Sequence, residues 1–394
     1  MPPAELSRAT TPSRLLDLLR TAGTLSRVEL AELSGLAPAT ITNVVRVLME
    51  GGLVREVGRE YQSRGQPRRL LQIHPEAWYA VGVHVEATRS TVVVVDFSGR
   101  RVSGSCLLGT GYLEPESAIA SLHEHVVALL DSAGLDLTRV LGVCLVLHSP
   151  FDRETGALLT RAPRSPSRSF ALRDAFSSRL GRPVLLQDAA DAAALDAAWT
   201  ASVPTQTFAV LYMDSGIDGS IVVDGAAFAG RSGNAVRIGH IDVGVEAEVP
   251  CVCGRPGCLE AVAGPTAVIA RALRDDDLVA RTGITGLQHD VLLDFERLAD
   301  SARDDHVARA ILLDSARHLS RAAVLLVDLF DVETVVLAGP AFAAANDIYL
   351  PHARAALARA SLSHSDEAPR ILVSPLADSA ATGGARTVLR TLPT

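Results

Sequence analysis

Lysine is absent from this chain of 394 residues, so all 37 basic residues are arginines. That excludes any mechanism built on a lysine, such as a P-loop phosphate ligand or a Schiff base. Long apolar runs are missing too. No uninterrupted stretch reaches the ~18 residues a membrane span needs, and the first eleven residues hold no apolar core of the kind a secretory leader requires. A cytoplasmic, membrane-free globular protein is expected, with 48 % hydrophobic residues sufficient for two or three domain cores. Cysteine is scarce, at five residues, and its spacing is not that of a disulfide framework. Cys106 and Cys144 lie singly in apolar runs and read as core thiols.

The net charge of -8 is unevenly spread, because residues 1–74 carry ten arginines against seven carboxylates. A nucleic-acid partner, if the chain has one, is therefore expected at the N-terminus. Thr10-Thr11-Pro12 supplies a cap and a first-turn proline, Leu15, Leu16, Leu18 and Leu19 give an apolar helix, and Gly23 ends it. Ser26 and Glu29 have the spacing of a capping box for a second helix that stops at Gly35. Pro38 opens a third, whose Ile41, Val44, Val45 and Leu48 form one buried stripe. Its other face holds Ala39, Thr40, Thr42, Asn43 and Arg46. Two short helices joined at a glycine, the second with small and polar residues outward, make a helix-turn-helix whose second helix fits a major groove; the alternative is a plain three-helix bundle. Residues 51–57 and 69–73 read as two strands and 58–67 as the arginine- and glycine-rich loop between them. That is a wing, with Arg59, Arg64, Arg68 and Arg69 within reach of phosphates or a narrow minor groove.

Beyond Tyr79 the pattern changes to strands at 80–85, 90–96, 142–147, around 208–223 and at 333–337, with a helix over 116–133. Hairpins followed by crossover helices, twice over, give an α/β architecture in two lobes with a cleft between them.

Three of the five cysteines, Cys251, Cys253 and Cys258, fall within eight residues, with His240 just upstream and glycines and a proline bending the loop. Four sulfur and imidazole ligands with no carboxylate suit a closed, structural Zn²⁺ site. The alternative is three reduced thiols in a buried turn.

Gly239-His240 followed by Cys-x-Cys-Gly-x-x-Gly-Cys-Leu-Glu over 251–260 resembles the signature of the ROK family, which joins transcriptional repressors and sugar kinases on one actin-like, ribonuclease-H-like fold. The resemblance covers nearly the whole chain. It implies that His240, Cys251, Cys253 and Cys258 hold zinc and that His240 and Glu260 also face a sugar pocket. Residues 1–74 are similar to the winged helix of ROK repressors, and Arg64-Gly65-Gln66-Pro67 stands where that family has a Gly-Arg-x-Pro hinge. Ala37 replaces the usual N-cap serine of the third helix. The expected division is a winged helix-turn-helix over 1–74, a first lobe over 75–190, and a second lobe over 191–394 whose C-terminal segment returns to the first. Assembly as a homodimer or homotetramer is implied as well.

The chain departs from the kinases of that family at each catalytic part. Their first phosphate turn looks like Asp-x-Gly-Gly-Thr; here it is His84-Val85-Glu86-Ala87-Thr88. In the second turn Asp214 and Asp218 replace glycines, so carboxylates stand where phosphates approach. The catalytic aspartate falls on Ala189, which accepts no proton, and Asp188 takes the place of a sugar-binding asparagine. His148-Ser149 replaces Pro-Gly, and Arg237 replaces a sugar-binding glutamate. A regulator without kinase activity is expected, its effector site built from His148, Asp188, Arg237, His240 and Glu260. Arg237 either selects an anionic sugar derivative over a neutral sugar or pairs with a resident acid such as Glu260 or Asp188 and seals the pocket. The rivals are an active sugar kinase carrying a DNA-binding domain and a ligand-independent regulator controlled by a protein partner.

Overall fold

The structure, a computed structural model, describes residues 11–60, 67–111, 113–148, 150–159, 170–200, 203, 205–244, 249–360 and 369–391. Local signals set the N-terminal segment. α1 (Thr11–Ala22) buries Leu15, Leu16 and Leu19 and ends where Gly23 takes φ +78°. The short β1 (Leu25–Ser26) leads into α2 (Arg27–Ser34), which opens on the reciprocal capping box of Ser26 and Glu29 and closes on Gly35 in the left-handed region. α3 (Pro38–Glu50) begins at Ala37 with no side-chain cap and buries Ile41, Val45 and Leu48, leaving Val44 half-buried. β2 (Val54–Glu60) and β3 (Arg68–Ile73) form the wing ribbon, in a sheet of order β1-β3-β2.

The wing differs from its sequence pattern. Gly51 and Gly52 belong to the turn leaving α3, so β2 starts at Val54; it then absorbs an irregularity between Glu56 and Gly58 and runs on to Glu60. Arg59 consequently sits on a strand opposite Arg69 rather than in the connecting loop. Arg64 lies outside the described residues.

The first lobe comprises β4 (Tyr79–Val85), β5 (Arg89–Asp96), β6 (Arg101–Leu108), α4 (Pro115–Ser132), β7 (Val140–Leu147), α5 (Leu172–Leu180), β8 (Val184–Asp188) and α6 (Ala189–Trp199). The second contains β9 (Phe208–Met213), β10 (Ile217–Val223), β11 (Ala226–Ala227), α7 (Leu259–Ala263), α8 (Pro265–Ala272), α9 (Asp276–Thr282), α10 (Val291–Ser301), α11 (His306–Phe330), β12 (Thr334–Ala338), α12 (Pro340–Ala344), α13 (Asn346–Ala360) and β13 (Arg370–Val373). Their sheets run β6-β5-β4-β7-β8 and β11-β10-β9-β12-β13. In each, the first strand of the lobe is central, antiparallel to a hairpin partner on one side and parallel to a crossover strand on the other. This is one α/β unit used twice. Buried on both faces, β9 reads as a continuous apolar run, Phe208 to Met213.

α14 (Ser379–Thr391) crosses back over β4, β5 and β7 and lies beside α6. Its approach is so close that a β-carbon added at Gly82 would stand 1.8 Å from the Ala381 carbonyl oxygen, and one at Gly383 would stand 1.8 Å from that of Ala192. Arg386 of α14 is buried, ion-paired with Asp196 of α6 and donating to the Gly99 carbonyl. One expectation about the core fails: Cys144 is buried, but Cys106 is exposed. It lies on β6, the edge strand, where Val102 and Leu108 are exposed as well and Leu107 is half-buried.

The winged helix is seated on the first lobe rather than tethered to it. Leu15, Leu16 and Leu19 join the apolar cluster that contains Val93, Val95 and Phe97. Arg20 of α1 donates from Nε to the Phe97 carbonyl at 3.3 Å, and its guanidinium carbon stands 4.8 Å from the Phe97 ring centre and 5.5 Å from that of Trp199. An arginine stacked on two aromatic faces with its side chain only 3 % exposed is a cation–π anchor.

Candidate functional sites: the α3 face, the His/Cys loop and the interlobe cleft

Ala39, Thr40, Thr42, Asn43 and Arg46 are all exposed on the outer face of α3. Arg46 Nη1 pairs with Glu50 Oε1 at 2.9 Å, with both side chains more than half exposed; so weak a pair releases the arginine readily. Val47, 55 % exposed, shares this face one turn beyond Asn43. Sequence reasoning passed over it because an exposed valine carries no pattern of its own, although an apolar group here suits a thymine methyl. On the wing Arg59 is exposed. Arg69 is held by Glu56 at 2.8 Å, and Glu56 also faces Arg27 at 3.5 Å.

The loop between His240 and α7 brings its four soft ligands together. One ligand atom from each of His240, Cys251, Cys253 and Cys258 lies within 4.8 Å of the others. Cys251 Sγ stands 3.6 Å from His240 Nδ1, and Cys253 Sγ 3.6 Å from Cys258 Sγ, close to the ligand–ligand spacing of a tetrahedral thiolate site with Zn–S of about 2.3 Å. Isolated bridges between Asp242 and Cys258 and between Pro250 and Pro256 fold the loop. Gly254 and Gly257 meanwhile adopt φ of +85° and +69°, values that favour glycine. The donor set fits zinc.

The cleft is closed by the chain's own charges. Arg237, just ahead of the turn that carries His240, places Nη1 3.0 Å from Asp218 Oδ1 and 3.5 Å from Asp188 Oδ2, and donates to the His148 carbonyl at 3.1 Å. His148 stands 2.6 Å from Asp218 through Nδ1 and 3.3 Å from Glu260 through Nε2. Glu260 also accepts from the Ile217 amide at 3.0 Å. Asp188 spends Oδ1 as the N-cap of α6, accepting from Ala190 N at 2.9 Å, and Ala189 beside it is fully buried. Arg237 thus pairs with resident acids, as one of its two expectations has it. Its main partner is Asp218, which the sequence marked as a displaced phosphate-turn glycine but not as a partner. His148 likewise faces carboxylates, while its Nδ1 and Arg237 Nη2 are buried without a hydrogen-bond partner.

A second group lies deeper, at the ends of the two central strands. His84 and Glu86 at the end of β4 meet Asp214 at the end of β9, all buried, and Ser215 Oγ donates across to Glu86. Asp191 accepts from Ser220 at 2.7 Å and faces Arg153 at 3.5 Å. Among the described residues, six carboxylates of the cleft (Glu86, Asp188, Asp191, Asp214, Asp218 and Glu260) therefore face two arginines and two histidines.

Burial, then the neighbouring Asp218 and Asp191 carboxylates, push the Asp188 pKa up to about 8, against the pull of Arg237 and His148. The unfolded carboxyl titrates near 3.8, so between these values the folded chain holds a proton that the unfolded chain has lost. Stability must then fall as pH rises through that window. We expect the unfolding midpoint to be higher at pH 6 than at pH 8.5 by about 5–10 °C, and Asp188→Asn to reduce the difference; a midpoint that rises with pH over this range would contradict it.

Comparison with known proteins agrees with this geometry. A match to the ROK family spans residues 81–391, and one to a winged helix-turn-helix DNA-binding segment spans residues 9–55. The chain is 26 % identical over 350 residues to the DNA-binding transcriptional repressor Mlc of Escherichia coli (strain K12), covering 86 % of this chain and 82 % of that protein. It is 28 % identical over 329 residues to the DNA-binding transcriptional dual regulator NagC of the same organism, covering 80 % and 77 %. In fold it is similar to a crystal structure of a ROK family transcriptional regulator described as a homologue of the E. coli MLC protein, with TM-score 0.75, 23 % identity and coverage of 96 % and 95 %. With a ROK domain over most of its length and a winged helix-turn-helix ahead of it, this chain belongs to the ROK family, on the side of its transcriptional regulators.

Proposed function

We propose that this protein is a cytoplasmic, DNA-binding transcriptional repressor of carbohydrate-metabolism genes, whose ROK domain is a zinc-stabilised, catalytically inert regulatory unit. The observation that carries the inert part is Ala189: the position that should deprotonate a sugar hydroxyl is a fully buried methyl group, and no neighbouring carboxylate replaces it, since Asp188 is spent on the helix cap and Arg237. Carboxylates at both phosphate turns oppose nucleotide binding. Zn²⁺ held by His240, Cys251, Cys253 and Cys258 would fix the loop that delivers Glu260 to the cleft. The metal supplies folding energy there and no chemistry.

Specific binding is assigned to Ala39, Thr40, Thr42, Asn43 and Arg46 in the major groove, with Arg59 and Arg64 on the wing adding phosphate or minor-groove contacts. Homodimers present two such helices to half-sites about one helical turn, or a multiple, apart. A sugar or sugar-derivative effector entering at Asp188, His148, His240 and Glu260 must displace Arg237 from its acids, and that exchange would shift the population between DNA-competent and incompetent arrangements.

Selection of binding sites from random duplex DNA tests the reading. A pseudo-palindrome should emerge, and Arg46→Ala should weaken binding to it by about 1–3 kcal/mol if the guanidinium reads a guanine. Binding that ignores sequence, or a variant with unchanged affinity for the best site, would remove α3 as the reading element.

A further inference from the structure

Several charged groups of the cleft have buried atoms without a hydrogen-bond partner, Arg237 and His148 among them, and one such group lies at the ends of β4 and β9. His84, Glu86 and Asp214 are each no more than 5 % exposed. His84 Nε2 stands 3.4 Å from Glu86 Oε1, and both atoms are buried without a hydrogen-bond partner. His84 Nδ1 stands 3.5 Å from Asp214 Oδ2. A shared proton needs an aligned donor at about 2.7–2.9 Å. Two ligands of one ion, each about 2.1 Å from it, stand about 3.0–3.5 Å apart. Here the two contacts leave from opposite ring nitrogens, so an ion bound through one of them keeps one carboxylate at ligand spacing and must draw in the other.

Charge points the same way. With Asp188 keeping its proton and His84 neutral, as a metal ligand must be, the five remaining cleft carboxylates exceed Arg153, Arg237 and a protonated His148 by two. In a buried site that excess is costly, and one divalent cation cancels it.

We propose that His84, Glu86 and Asp214 form a second metal site, distinct from the His/Cys loop, that takes a divalent first-row cation. One imidazole nitrogen and one oxygen from each carboxylate already lie within 4.8 Å of one another. That is slightly wider than a first coordination sphere, so binding draws them inward. One nitrogen with two hard oxygens suits Mn²⁺, Fe²⁺ or Zn²⁺ and differs in kind from the thiolate set around Cys258. Ser215, which holds the second oxygen of Glu86, orients that carboxylate as an outer-shell partner. The ion joins the central strand of one lobe to the central strand of the other, so its occupancy sets how firmly the lobes close. This proposal rests on the cleft alone and is independent of which operator or effector the protein recognises.

Mn²⁺ is the probe, because it has little affinity for thiolate sites and its aqueous paramagnetic resonance signal disappears on binding. Titrated into the full-length protein with its zinc in place, Mn²⁺ should be taken up at one equivalent per chain and raise the unfolding midpoint. Glu86→Gln, nearly isosteric and still able to accept from Ser215, and His84→Ala should each weaken uptake at least tenfold, with zinc content equal to wild type. If wild-type protein leaves Mn²⁺ free, protons or His84 alone balance the carboxylates and the site does not exist. If Glu86→Gln remains folded and binds Mn²⁺ as tightly as wild type, the ion lies elsewhere and the assignment fails.

Discussion

Replacing Cys258 by serine should take zinc content from one ion per chain to near zero and destabilise the second lobe by about 3 kcal/mol or more, a fall of about 6–12 °C in unfolding midpoint for a domain of this size. The size of the effect follows from where the sulfur sits. Cys258 is 1 % exposed, bridges to Asp242, and is the N-cap position of α7; the next residue, Leu259, is fully buried in the main cluster of the second lobe. Loss of the ion would release the loop, the first turn of α7 and with them Glu260. Cys106→Ser, at an exposed edge-strand thiol, is the control and should change neither quantity. Metal analysis and denaturant melts of the two variants decide the matter: a Cys258→Ser protein that keeps a full complement of zinc, or a wild type purified without chelator that holds none, would end the assignment.

Arg237→Ala should cost about 3–5 kcal/mol, because it takes from buried Asp218 and Asp188 the guanidinium they share. Much of that cost belongs to the acids left behind and not to the pair itself, which gives the test its sharper form. Arg237→Met combined with Asp218→Asn removes both charges at similar volume and should recover most of the loss, so the double-mutant cycle should return a strong coupling between the two positions. If the single substitution is nearly neutral, the arginine is not the keystone of the cleft. If gluconate or glucose 6-phosphate stabilises wild type but not Arg237→Ala, the arginine receives an anion in preference to sealing its own pocket.

Much of this is legible in the sequence alone. Ser26 and Glu29, Gly35, Pro38 and the stripe of Ile41, Val45 and Leu48 dictate their structure through backbone donors and helical period, which are local properties. The ligand loop was legible for the same reason: its cysteines are close in sequence. What escaped depends on distant parts of the chain. β6 shows no clean alternation because it is an edge strand. α14 contains Gly383 and Gly384, poor helix formers, whose presence makes sense only once β7 and α6 lie against them. In the cleft the sequence identified which positions carry unusual charges, yet not which charge meets which. Asp218 as the partner of Arg237 emerges only when the loop after β11 folds back on β10, and His84 beside Asp214 only when residues more than a hundred positions apart are brought together by the two sheets.

The seat of Arg20 has a consequence for DNA geometry. α6 starts at Asp188, inside the cleft, and ends at Trp199, against which that arginine stacks; eleven residues at 1.5 Å each make a rod about 16 Å long. A reading head on a flexible leash would sample many orientations and tolerate operators of varied spacing. One bolted to the far end of such a rod inherits its orientation, so in an assembled pair the distance between reading heads is a property of the cleft-bearing bodies. Operator spacing should then be narrow, and lengthening residues 74–78 should relax it little as long as the aromatic seat is intact.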